Sequence, residues 1–203
     1  MPTRSLQQTE LDWTKVSFQS TIAKKRNYIP TLSLFKDNKK ILAVTCRNTR
    51  KGINHDQDFA FMEMFATIAS VDPDFVIFSA DAHLDIRAAL DNGHYENEHI
   101  PIEESGTNAF YRIMASRSRA DFIGLDPYIL DKDRGVWWIN LPNKMLTQTA
   151  DDGLDRRGTH QIAENISRMF SSVGTFPFKT SELFDALSNM GHLISVLKGF
   201  HVE

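Results

Sequence analysis

Two apolar runs, Tyr28 to Phe35 and Lys40 to Arg47, flank the four residues Lys36-Asp37-Asn38-Lys39, and this spacing constrains the fold more than any other stretch. Asp and Asn tolerate the left-handed backbone of a tight reversal, so a β-hairpin is expected, with Leu32 and Leu34 on one face of its first strand. A polar segment, Asn48 to His55, then leads to Asp56 or Asp58 as a helix cap. Phe61, Met62, Phe65, Ile68 and Ala69 follow at helical spacing and predict an amphipathic helix lying across the hairpin. Val71-Asp72-Pro73-Asp74 should end it, because proline cannot continue a helix and biases its predecessor away from α. The short apolar run Phe75-Val76-Ile77-Phe78 then reads as a strand covered on both faces.

The flanking segments are less sharply marked. Residues 1–10 are polar and expected to be frayed; from Asp12 to Arg26, Trp13, Val16, Phe18, Ile22 and Ala23 recur at helical spacing. Strands are expected at Asn108 to Ala115 and Gly135 to Leu141, with Gly124, Pro127 and the Asp131-to-Gly135 turn marking reversals between them. The stretches 81–106 and 141–158 read as polar loops. Two helices close the chain, one capped by Thr159 and one by Thr180 or Ser181. The second carries Leu183, Leu187, Met190, Ile194 and Leu197 and should stop at Gly199. The expected fold is a single α+β (mixed α/β) domain over residues 1–203, a layered sandwich with helices packed on a largely antiparallel sheet. The helical pair within 159–203 is either an integral layer of that sandwich or an appendage to it.

Composition excludes several function classes. A net charge of −3 provides no global basic field, so nucleic acid is not an expected partner. The clustered Arg112, Arg117 and Arg119, with Tyr111 among them, fit a charged sheet edge better than a single-strand groove. One cysteine, Cys46, allows neither an intramolecular disulfide nor a thiolate zinc site, and its apolar setting suggests a buried, inert thiol. The first residues lack the apolar run of a signal peptide, and no stretch approaches the roughly 18 apolar residues of a membrane span. The expected setting is aqueous and cytoplasmic, without membrane contact. Phosphate-binding Gly-x-x-x-x-Gly-Lys-Ser/Thr, Gly-x-Gly-x-x-Gly, His-Glu-x-x-His and Gly-x-Ser-x-Gly motifs are all absent from the sequence.

The densest set of chemically versatile residues follows the Phe75–Phe78 run. Asp81, His83 and Asp85 alternate, so an extended backbone would point all three to one side, and His94 and His99 follow within the same polar stretch. An imidazole flanked by carboxylates suits a divalent metal or a carboxylate-oriented general base. The competing reading is a wet loop whose polar residues cap turns. A second cluster, Asp151 to His160, opens a helix, where Arg156, Arg157 and Thr159 could receive an anion at the free N–H groups. Its outline resembles the final block of SGNH-type esterases, but Asp155 occupies the histidine position and no Gly-Asp-Ser block precedes it, so that family is set aside. Of the Trp137-Trp138 pair, one ring should enter the core and the other face outward as a contact surface. Two functions compete: a non-enzymatic binding or assembly module, expected to self-associate, and a metal-dependent hydrolase built on the Asp81–His99 segment. The absence of every enzymatic motif favours the first.

Overall fold

A computed structural model describes residues 5–47, 54–84, 107–117, 120–131, 135–138, 156–197 and 200. The hairpin forms as its turn residues require. Strands β1 (Thr31–Lys36) and β2 (Lys39–Thr45) pair antiparallel through Asp37 and Asn38, both at positive φ, 51° and 55°. That two-residue turn matches the right-handed twist of the strands it joins. Helix α2 (Asn54–Val71) follows, starting ahead of Asp56 and Asp58, which therefore lie inside it. Phe61, Phe65, Ile68 and Ala69 are buried on its inner side as the spacing predicts. Asp72 takes a left-handed φ of 53° before Pro73 and turns the chain into β3 (Phe75–Leu84).

The sheet has seven strands in the order β6-β5-β4-β3-β1-β2-β7, every neighbouring pair antiparallel. β4 (Thr107–Ser116), β5 (Ala120–Asp131) and β6 (Gly135–Trp138) form a meander on one side of β3. β3 continues through Asp81 to Leu84, where a loop was expected, because Thr107–Phe110 of β4 supplies a partner for each of those residues. Gly124 and Pro127 lie within β5 instead of at reversals. Proline fits there because β6 pairs only with Tyr128 to Asp131, leaving β5 at the sheet edge beside Pro127 among the described residues.

Helices cover both faces. α2, α3 (Arg156–Ser171) and α4 (Thr180–Asn189) pack on one face, where Leu32, Leu34, Leu42, Val44, Val76, Phe78, Tyr111 and Ile113 meet Phe65, Ile68, Ile166, Phe170 and Phe184. Ile166 and Phe170 of α3 and Phe184 of α4 thus share one core with the sheet. On the other face, among the described residues, lies α1 (Leu6–Ala23), capped by Ser5, whose Oγ accepts the Gln8 N–H at 3.2 Å. This helix begins inside the stretch expected to be frayed. Its buried contacts are Leu11 and Phe18, whereas Trp13 and Val16, expected in its apolar stripe, are exposed. Leu11 packs with Phe35, Phe75 and Ile77, and Phe18 stacks on Phe110 with a centroid separation of 4.2 Å.

The last helix is shorter than the leucine spacing predicts. α4 ends at Asn189, and after Gly191 (φ 96°) the chain forms β7 (Leu193–Val196), which pairs with β2. Ile194 therefore sits opposite Val44 in the sheet, and Met190 and Leu197 are exposed. Lys179 caps α4, and its N–H donates to the Glu182 carboxylate at 3.2 Å. Thr180, expected to be the cap, bonds instead to Ser70 of α2.

Candidate functional site: a hydroxyl-lined groove beside α1

Among the described residues α1 alone covers its face of the sheet, and part of β1, β2 and β3 stays open along its flank. The result is a groove of about 660 Å³. Its sheet wall is built from small polar residues: Thr31 and Ser33, which alternate with core-facing Leu32 and Leu34, together with Thr45 and Ser79. Its helix wall is Glu10, Thr14, Ser17 and Thr21, spaced three or four residues apart on one side of α1, with the indole of Trp13 beside them. Asn27, Tyr28, Ile29 and Lys40 complete the lining. Side chains of this size cannot fill the space between helix and sheet, and that is why a groove exists here and not beneath Leu11 or Phe18.

Several of these hydroxyls have already given their proton to the protein. Thr14 donates to the Leu11 carbonyl at 2.7 Å, Thr21 to Ser17 at 2.8 Å and Thr31 to Ile29 at 3.0 Å. Each oxygen keeps lone pairs available as acceptors. Tyr28 and Ser79 share a hydrogen bond of 2.8 Å, and burial pushes the Tyr28 phenol upward, partly offset by that bond. Burial pulls the Lys40 ammonium down, and the Glu10 carboxylate opposes the shift.

Next to the groove, the face beneath α1 holds a buried ion network. The Arg112 guanidinium donates to the Leu11 carbonyl at 2.9 Å and to Asp126 at 2.5 Å, and it lies over the rings of Phe110 and Phe122. Asp126 also accepts from Lys15 at 2.8 Å, whose ammonium sits 4.2 Å above the Trp138 ring. The Trp138 indole thus packs under α1 with Phe18, Phe110 and Tyr128. Arg112 and Tyr111 are both buried, on opposite faces of β4, while Arg117 pairs with Asp72. Arg112 and Arg117 therefore do not share a basic patch, and Arg119 lies outside the described residues.

The candidates read from the sequence fall as follows. Asp81 and His83 lie on β3, opposite Phe110 and Asn108 of β4. The Asp81 carboxylate accepts the Tyr128 hydroxyl at 2.8 Å. Burial, that bond and the Asp81 charge together push the Tyr128 phenol far upward. Asp85, His94 and His99 lie outside the described residues, and no group of three or more His, Cys, Asp or Glu among the described residues is placed to hold a metal ion. Arg156 and Arg157 open α3, so Thr159 lies in its first turn instead of capping it.

Cys46 is buried, as expected, and its thiol is pushed up to about 11 by burial. Beside it, in sequence and in space, is a pairing the sequence did not reveal. The imidazole of buried His192 accepts the Arg47 N–H at Nδ1, 3.1 Å away, and its Nε2 meets Glu63 at 2.8 Å. Both ring nitrogens are engaged, so this histidine has no lone pair left to activate the thiol. It anchors β7 to β2 and α2. Among the described residues no helix is long and apolar enough to cross a membrane. Compared with protein-family models, curated proteins and solved structures, the chain shows no match.

Proposed function

We propose that this protein is a non-enzymatic binding module whose ligand site is the groove between α1 and the sheet. One observation carries the reading. A sheet face covered by a helix is ordinarily apolar, yet here the covered part of β1 and β3 presents Thr31, Ser33 and Ser79 to a cavity instead of to packed side chains. Its size falls within the roughly 300–1,000 Å³ of small-molecule sites. The groove holds hydroxyls, one carboxamide, one ammonium and one carboxylate, a set suited to holding a polar molecule in place. Ser79 is hydrogen-bonded to Tyr28, whose phenol is pushed upward by burial and so makes a poor general base for it.

Backbone amide NMR of the labelled protein against a library of polar fragments tests this reading. Binding should move the resonances of Thr31, Ser33, Ser79 and Ser17. The variant Ser17→Trp, which adds bulk from the exposed side of α1, should abolish those shifts without lowering stability. A library in which no compound perturbs these residues would overturn the proposal.

A further inference from the structure

We infer that the ligand is a neutral polyhydroxylated molecule, a sugar of one or two rings. The inference rests on the groove being a ligand site, and it goes further by naming the chemistry that fits there. Three observations converge. First, the hydroxyl protons of Thr14, Thr21 and Thr31 are committed to carbonyls, so these oxygens face a ligand as acceptors. A partner rich in O–H donors satisfies several of them together and can also accept from the Lys40 ammonium and the Asn27 amide, whereas an anion, which only accepts, leaves these threonine oxygens without a donor. Second, the charges of the lining compensate. Lys40 lies close enough to Glu10 to feel its field, so the groove presents one positive and one negative group and selects for neither sign. Third, Trp13 lines the groove while 61% exposed, one residue from Thr14 and one helical turn from Ser17. An exposed indole beside a ring of hydroxyls combines an apolar platform for the C–H face of a sugar with polar partners for its edge. Among the described residues no packing role accounts for Trp13, since α1 is held by Leu11 and Phe18.

Saturation-transfer and amide-shift NMR with maltose, cellobiose and N,N′-diacetylchitobiose as probes, and adenosine and inorganic phosphate as contrasts, tests the assignment. At least one sugar should bind and shift Thr31, Ser33 and Ser79, with affinity reduced about tenfold in Trp13→Ala and largely kept in Trp13→Phe. Trp13 is exposed, so both variants leave the core intact. If polar fragments, adenosine or phosphate occupy the groove and none of the sugars does, the sugar assignment falls while the binding-module reading stands. If nothing occupies it, both fall. A sugar that binds with equal affinity in Trp13→Ala also overturns the assignment.

Discussion

The buried Arg112–Asp126 pair offers a sharp test of how the face beneath α1 is held. The Arg112 side chain is 9% exposed, that of Asp126 13% and that of Lys15 32%. Removing Asp126 strands the guanidinium, because its remaining protein acceptor is the Leu11 carbonyl and its Nε is already buried without one. Breaking such a pair costs about 3–5 kcal/mol. Removing Arg112 is milder, since Asp126 keeps Lys15, and about 1–3 kcal/mol is expected for Arg112→Met. Replacing both, Arg112→Met/Asp126→Leu, removes the charges together and should return to within about 1 kcal/mol of the parent, since apolar replacements of buried pairs are often neutral. Urea denaturation followed by circular dichroism measures all three. By calorimetry Asp126→Ala should lower Tm by roughly 6–20 °C for a chain of this length. The reasoning is refuted if Asp126→Ala costs less than Arg112→Met, or if the double variant is as unstable as the sum of the single ones.

Two further outcomes follow from particular contacts. A Cβ at Gly124 would lie 2.5 Å from the Phe122 ring, so Gly124→Ala should swing that ring off Arg112 and cost about 1–3 kcal/mol, with partial recovery in Gly124→Ala/Phe122→Leu; unchanged stability would show that the ring is not confined. For the segment begun by Asp81 and His83, a binding module without a metal centre keeps its Tm in chelator and carries substoichiometric metal by elemental analysis. Stoichiometric divalent metal that disappears in Asp81→Ala/His83→Ala would replace that reading with a metal-dependent hydrolase.

The legible parts of the fold are those where local chemistry and tertiary contact agree. Asp37-Asn38 can adopt positive φ with little strain, so the hairpin turn is visible in the sequence, and α2 shows its buried stripe because it faces a wide apolar sheet. Strand β7 was hidden because Ile194, with Leu197 beyond it, also fits a helical stripe, and only the edge of β2, remote in sequence, decides between the two. The extension of β3 was hidden for the same reason, as polar residues become strand when β4 offers hydrogen bonds. The groove left a fainter trace. Thr31 and Ser33 alternate with Leu32 and Leu34 as a solvated face would, and nothing local says that α1 overhangs them. Thr14, Ser17 and Thr21 do repeat at helical spacing, and that polar stripe on an otherwise mixed helix was the available signal. Asp81 and His83 stand out in the sequence because carboxylate and imidazole carry strong chemistry, whereas a row of hydroxyls resembles any solvated surface.

His192 joins the backbone of Arg47 across 145 residues of chain. The hairpin, α2 and β3 are neighbours in sequence and can come together early, but the outer edge of β2 stays bare until β7 arrives. Chains dominated by such distant pairings fold slowly, and an uncovered strand edge invites pairing with another molecule meanwhile. The short segment from Gly191 to Val196 therefore acts as a late-closing clasp. Its loss would be felt first as poor yield and aggregation during synthesis, and only afterwards as a lower melting temperature in the molecules that survive.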